Sequence, residues 1–308
     1  MLFRSLESKV EIIRDSLTRI GKIDFDREIT ITASPEKYGY RLRTQWHADT
    51  RAGTIGYFKR QSHEVVDAKS CRVLVPELEN KLNRLREDIP WSTYSSEIIN
   101  IEAASGDEGN TSAFSEELLE NNDELSVDVN GDRFFFNAET FFQGNRYLIG
   151  ELVKTALDDV KGKIALDLFC GAGLFSIPLA RNFERVLAVE ASEASIQFAK
   201  KNAEHAHLEN IELFHGRIKQ FLIEGPAAGE DIDFMLLDPP RSGVKKPALE
   251  KMTDLAPAHI SYVSCNPTTL ARDLRIIMDD GYSISSITAL DLFPQTHHVE
   301  TVVHLKRK

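Results

Sequence analysis

HISYVSCNPTTLARD, residues 259–273, is an apolar run that stops at Cys265-Asn266-Pro267 and turns into a helical pattern. Ile260, Tyr262 and Val263 make a buried strand. Asn-Pro breaks it, and Thr268-Thr269 is expected to cap a helix over residues 270–278. A strand that ends on a cysteine presents it at the carboxyl edge of its sheet, where ligands of open α/β sheets bind. Beside a helix N-terminus the macrodipole favours a thiolate. The competing reading of Cys265 is an ordinary buried cysteine.

Outward from this stretch the pattern is regular. Strands are expected over residues 164–168, 186–189, 211–214 and 234–237, and helices over 174–181, 192–206 and 248–255. Strands alternating with helices predict an α/β fold with a parallel sheet covered on both faces. Residues 282–292 and 298–305 follow as two strands without a helix between them, so one is expected to add antiparallel at the edge.

Upstream the character changes. Residues 2–20 predict an amphipathic helix carrying Leu6, Val10, Ile13, Leu17 and Ile20 on one side, ended by Gly21. Residues 38–47 and 53–59 predict antiparallel strands. There Arg41, Arg43, Arg51, Lys59 and Arg60 interleave with Tyr38, Tyr40, Trp46, Tyr57 and Phe58, either as an RNA-contacting face or as a solvated one. Residues 76–87 predict a packing helix. Residues 103–124 are small, polar and acidic and predict a mobile insertion or linker. Asn130-Gly131 between two apolar runs predicts a hairpin. The expected organisation is a smaller α+β domain over 1–102, the insertion over 103–124 and a Rossmann-like domain over 125–308.

Composition limits the function classes. The 308 residues are 42% hydrophobic, enough for a sizeable core. Three cysteines far apart imply no disulfide framework and fit a reducing cytoplasm. No apolar run approaches the roughly 20 residues that span a bilayer, so no membrane partner is expected. The formal charge of −11 argues only weakly against RNA. Seven carboxylates fall within residues 104–124, without Lys or Arg, and setting them aside takes −11 to −4.

Three motifs carry chemistry. ALDLFCGAGLF, residues 165–175, is a strand ending in Gly171-x-Gly173, with Glu190 ending the next strand nineteen residues after Gly171. Glycines allow close approach of a ligand, and an acid at that strand end can accept ribose hydroxyls. The third glycine of a pyrophosphate cradle is absent, since position 176 is Ser176. That favours a nucleoside cofactor without phosphates, such as S-adenosylmethionine. DPPRSG, residues 238–243, puts Asp238 at another strand end; the competing reading is a tight turn. In FPQTHHVET, residues 293–301, Glu300 sits in an apolar strand as either a solvated side chain or a general base. His297 and His298 are adjacent in sequence and point to opposite faces, so no metal site is expected there.

Together these motifs resemble the S-adenosylmethionine-dependent RNA (uracil-5)-methyltransferase family. The matches are FFQGN at 141–145, LDLFCGAG at 166–173, AVE at 188–190, LLDPPRSG at 236–243, VSCNPTTLARD at 263–273 and FPQTHHVET at 293–301, in the family's order. A weaker match runs through YGYR at 38–41 and SHEVVD at 62–67. The resemblance implies a class I methyltransferase sheet. It implies Cys265 as nucleophile on uracil carbon 6 and Glu300 as the base for the carbon 5 proton. It implies Gln143, Phe169, Glu190 and Asp238 as cofactor contacts, and structured RNA as partner, ribosomal RNA ahead of transfer RNA.

The chain also departs from the family. Many members have Asn where this chain has Leu174. Many bind an iron–sulfur cluster; only Cys71 matches a ligand position, so no cluster is expected in this chain.

Overall fold

The computed structural model describes residues 6–89, 91–94, 98–117, 122–227 and 229–308. Residues 2–5 of the expected first helix and residues 118–121 of the expected insertion lie outside them. The chain forms two compact units, Met1–Pro35 with Leu148–Lys308, and Glu36–Tyr147.

The chain opens with α1 (Leu6–Ser16), a π-turn at Leu17–Gly21, and β1 (Thr30–Thr32). Lys9, Ile13 and Ser16 are buried along α1. These elements belong to the larger unit, because β1 pairs in parallel with the strand at Thr288–Leu290.

The smaller unit holds β2 (Arg43–Asp49), β3 (Thr54–Phe58), β4 (Val65–Asp67), α2 (Pro76–Asp88), β5 (Ile98–Ser105), β6 (Thr111–Phe114), β7 (Leu125–Val129) and β8 (Asp132–Phe136). Five strands form an antiparallel sheet in the order β4-β3-β2-β5-β6, and β7 pairs with β8 through the expected Asn130-Gly131 turn. Phe142 stacks on Phe136 at 4.6 Å between ring centres. The expected insertion is corrected in its first part: residues 103–105 finish β5 and residues 111–114 are β6, with Ala103, Ala104 and Ala113 fully buried. Acidic composition outside the strand positions hid a short apolar alternation. The expected division at residue 102 therefore falls inside β5, and the hairpin of β7 and β8 belongs to the smaller unit.

The larger unit continues with α3 (Ile149–Leu157), β9 (Gly162–Leu168), α4 (Ser176–Ala180), β10 (Phe183–Glu190), α5 (Glu193–His205), β11 (Ile211–His215), α6 (Ile218–Glu224), β12 (Phe234–Leu237), α7 (Lys246–Asp254), β13 (His259–Ser264), α8 (Pro267–Asp279), β14 (Tyr282–Leu290) and β15 (Glu300–Arg307). The sheet order is β1-β14-β15-β13-β12-β9-β10-β11. It is parallel except for β15. The antiparallel strand is not at the edge, as expected, but inserted between β13 and β14; β15 is apolar almost throughout, which suits an interior position. Alternation sets the two faces. Leu187 and Val189 join the main core with Ile13, Leu249, Leu270 and Leu274, while Ala188 packs with Ile196 of α5. No helix among the described residues is long and apolar enough to cross a membrane.

Candidate active site

The strand order reverses at β9, between β10 and β12, and the chemistry-bearing residues follow the ends of the strands around that point. Leu168, Val189 and Leu237 are in register, so Phe169, Glu190 and Asp238 occupy neighbouring edge positions. Phe169 and Cys170 both donate backbone N–H to the Val189 carbonyl, at 3.1 and 3.0 Å. This bend holds Phe169 at φ +74°, an unfavourable conformation for an aromatic residue and the kind of strain found at ligand sites. Gly171 follows at φ +55°, and a Cβ there would meet nothing within 4 Å, so its bare backbone faces open space. Glu190 spans the turn: one carboxylate oxygen accepts from Gly171 N at 3.0 Å, the other from Ala191 N and Ser192 N at 2.7 Å each. Beside it lies a cavity of about 250 Å³ lined by Val189, Phe214, Gly216, Arg217 and Phe221.

Beneath the turn, Asp167 is fully buried and accepts from Ser176 Oγ at 2.5 Å, while its Oδ1 has no hydrogen-bond partner. Burial pushes its pKa up to about 7, and the Glu190 charge adds to the rise. Leu174 is buried.

Cys265 follows the last residue of β13. Asn266, not the expected threonines, caps α8, accepting from Thr268 N at 3.1 Å with Pro267 opening the helix. On the ladder, Ser264 opposes Thr301, so the next step sets Cys265 beside Glu300. The Arg241 guanidinium pulls the thiol toward its charged form, and the Asp238 charge opposes it. Glu300 is only 3% exposed. It is an inward carboxylate rather than the solvated one.

The electrostatics correct one expectation. The helix end does not leave Cys265 a thiolate at rest: burial and then the Glu300 charge push its pKa up to about 11, against the opposing pull of Arg241. Glu300 is held well above the usual carboxylate range by burial and then by Asp238, again opposed by Arg241. At neutral pH the thiol is protonated. Cys170 is buried and its thiol is likewise raised, so it offers no competing nucleophile.

The part played by Arg241 is not visible in the sequence motif. Its backbone carbonyl accepts from Asn266 Nδ2 and Thr269 Oγ1, both at 3.1 Å. Arg272 donates to the carbonyls of Ser242 and Val244, and the fully buried Asp273 accepts from Val244 N at 2.8 Å and Tyr262 OH at 2.7 Å. The Asp238–Gly243 loop is thus sewn to the first turns of α8. The signal was in the sequence: VSCNPTTLARD keeps Asn, Thr, Arg and Asp on one helical side.

Gln143 belongs to the smaller unit, where it is buried. In that unit, two of the aromatics that the sequence left as either RNA-contacting or solvated are neither. Tyr40 and Trp46 are core residues, and the Tyr57 hydroxyl accepts from Trp46 Nε1, shares a hydrogen bond with Thr44 Oγ1 and donates to Cys71 Sγ. The exposed aromatics are Tyr38, Phe141 and Tyr147. Each carries a guanidinium over its ring: Arg72 at 4.1 Å, Arg43 at 5.6 Å and Arg146 at 5.9 Å. Among the described residues no group of three His, Cys, Asp or Glu is placed to hold a metal ion.

The sequence profile of the tRNA (uracil-5-)-methyltransferase family matches residues 75–221 and 229–308. The chain belongs to this family. Among relatives of this uracil-5-methyltransferase chain, an uncharacterised RNA methyltransferase of Thermosynechococcus vestitus is 30% identical over 97% of the chain and 79% of the relative. The 23S rRNA (uracil(1939)-C(5))-methyltransferase RlmD of an Enterobacter species is 32% identical over 90% and 73%. In fold, the chain is similar to the tRNA (uracil-54, C5)-methyltransferase of Pyrococcus abyssi, solved with S-adenosyl-L-homocysteine. The TM-score is 0.76 at 23% identity, covering 98% of this chain and 83% of that one. The α/β fold and the uracil-5-methyltransferase resemblance read from the sequence are borne out.

Proposed function

We propose that the chain uses S-adenosylmethionine to methylate carbon 5 of a uridine in structured RNA, through a covalent Cys265–uracil adduct resolved by Glu300. The observation that carries this reading is the position of Cys265 beside Glu300, one step beyond the last β13–β15 ladder pair Ser264–Thr301, with the charges of Arg241 and Asp238 acting on both. Ribosomal RNA is favoured over transfer RNA, because relatives named for 23S rRNA reach 30–32% identity.

The residues fit the cofactor. Glu190 at the end of β10 suits ribose hydroxyls, the cavity beside it offers Val189, Phe214 and Phe221 to a base, and Gly171 leaves room for close approach. The orphaned Oδ1 of Asp167 suits an ammonium group. Phe169, Glu190 and Asp238 of the larger unit are the proposed contacts. When bound, the cofactor supplies an electrophilic methyl group on a sulfonium cation.

Carbon 5 of uracil is a weak nucleophile. Cys265 as thiolate bonds to carbon 6, and the displaced electron pair makes an enolate whose carbon 5 can accept the methyl group. Glu300 as carboxylate then takes the carbon 5 proton; the electrons of that C–H bond re-form the double bond to carbon 6, and the C6–S bond breaks, returning Cys265 as thiolate. Both groups become easier to ionise when a cation enters the site, which works with Arg241 against burial. Chemistry is thereby suppressed until the site is loaded.

The test is a trap. RNA containing 5-fluorouridine is mixed with protein and S-adenosylmethionine, and the products are resolved under denaturing conditions. Fluorine cannot leave carbon 5 as a proton does, so a cofactor-dependent adduct at Cys265 is expected, and sequencing the bound RNA names the target. Cofactor binding without any adduct would instead support a silent RNA-binding module.

A further inference from the structure

Lys9 is only 6% exposed, although it lies on a helix remote in sequence from the active site. Its ammonium group is fully engaged. It pairs with the Asp291 carboxylate and donates to the carbonyls of Phe293 at 3.1 Å and His298 at 2.6 Å. Those partners bound one loop. Leu290 and Glu300 are the last ladder pair of the β14–β15 hairpin, and residues 291–299 connect them. Lys9 therefore ties the first residue of the connection to the residue two positions before Glu300.

Other contacts brace the same loop. Thr296 Oγ1 donates to Phe293 O at 2.7 Å, His298 N donates to Thr296 Oγ1 at 3.2 Å, and Asp291 N donates to Thr32 O at 2.9 Å. Gln295 at the tip has φ +65°. Lys9 is the cationic member of this set, and it enters from a separate helix. A lysine desolvated to this degree is retained at a cost, and that cost is offset only by ideal partners.

We propose that Lys9 is a positioning residue for Glu300: by cross-tying both stems of the 291–299 connection it fixes where the carboxylate stands for removal of the carbon 5 proton. The inference rests on the proposed role of Glu300. It assigns Lys9 to one step. Addition of Cys265 and methyl transfer do not use Glu300 as a base, so they should proceed without Lys9. Proton transfer from carbon 5 to Glu300, with loss of the C6–S bond, should not.

The experiment compares Lys9→Met, Lys9→Arg and wild type on two substrates. With 5-fluorouridine RNA, Lys9→Met should form the methylated adduct within about threefold of the wild-type rate. With ordinary RNA its turnover should fall at least 30-fold, covalent complex should accumulate, and a deuterium isotope effect at uracil carbon 5 should grow. Lys9→Arg should recover part of the turnover. Equal losses on both substrates, or an unchanged isotope effect in a folded Lys9→Met protein, would reduce Lys9 to a stabilising contact and overturn the proposal. Asp291→Asn gives a second reading of the same tie, and wild-type behaviour in it would count equally against. Absence of an adduct in wild type is a separate outcome: it removes the Cys265–Glu300 mechanism, and the role of Lys9 with it.

Discussion

Cys265 and Glu300 stand side by side at the ends of antiparallel strands, and the Glu300 charge adds to burial in holding the thiol neutral. With the thiol pushed up to about 11, the thiolate fraction at pH 7 is about one part in ten thousand. In a Cys71→Ser background, alkylation of Cys265 by iodoacetamide should be slow at pH 7 and climb about tenfold per pH unit toward pH 11. Glu300→Gln removes a facing negative charge and should accelerate it. Mass spectrometry of the labelled peptide gives the rates; a flat profile between pH 7 and 9 would contradict the burial argument.

Arg241 is the group that favours both charged forms. Arg241→Met should lower methylation on the order of 100-fold, a loss of about 3 kcal/mol of transition-state stabilisation. It should also move the ionisation limb of the rate profile to higher pH, while Arg241→Lys recovers part of the loss. An unchanged pH profile in Arg241→Met would remove the arginine from activation.

Gly243 has φ +69°, and a Cβ there would lie 2.5 Å from Asp273 Oδ2 and 2.7 Å from Arg272 Nη2. Gly243→Ala therefore meets both backbone strain and the buried pair that anchors the loop. Urea unfolding should show a loss of roughly 2 kcal/mol or more. Activity should fall further than stability alone predicts, since the loop carries Arg241 and Asp238.

Two buried sites give opposite pH slopes. His259 donates to or accepts from His304 at 3.0 Å, and burial lowers the His259 pKa to about 4. A histidine with a depressed folded pKa contributes stability that is present above about pH 6.5 and lost as pH falls toward 4. The raised pKa of Asp167, about 7, acts in the other direction: stability is lost as pH rises from about 4 to 7. Asp167→Asn should stabilise the cofactor-free protein at pH 8 by a few kcal/mol and steepen the acid limb. Thermal melts from pH 4 to 8 test both signs, and a wild-type-like curve would dismiss the Asp167 burial cost.

The Tyr38–Arg72 and Tyr147–Arg146 pairs gather around Gly39 in the smaller unit, where Gly39 N bonds Arg72 O and Arg146 N bonds Tyr40 O. If they stack and neutralise RNA, Arg72→Ala and Tyr38→Ala should raise KM for RNA with little change in kcat. Each lost arginine should reduce the salt slope of binding by about one. Equal affinity and slope would leave them as solvated surface.

Much of the larger unit was legible in the sequence because every strand of a parallel sheet is an apolar run closed by a turn. The ends of those runs gave Glu190, Asp238 and Cys265 together, while Phe169 came only from the family resemblance. Arg241 and Lys9 were not legible, because their roles depend on which loop meets which helix. Lys9 differs from a solvated lysine only in sharing a buried stripe with Ile13. The position of β15 was missed for a related reason: an apolar terminal strand fits an edge or an interior slot equally well by pattern. The choice between an RNA-contacting and a solvated face stayed open because Arg beside Tyr in alternation does not reveal which side is core; Tyr40 and Trp46 turn inward.

The interior position of β15 orders the protein's own making. Synthesis runs from the N-terminus, so β13 and β14 exist before the strand that joins them. On the proposed mechanism, a nascent chain holds its nucleophile but lacks its base until residues 300–307 slot into the gap. Insertion of that strand completes the sheet and brings Glu300 to the end of β13, so a half-made chain would lack the group proposed to release the RNA.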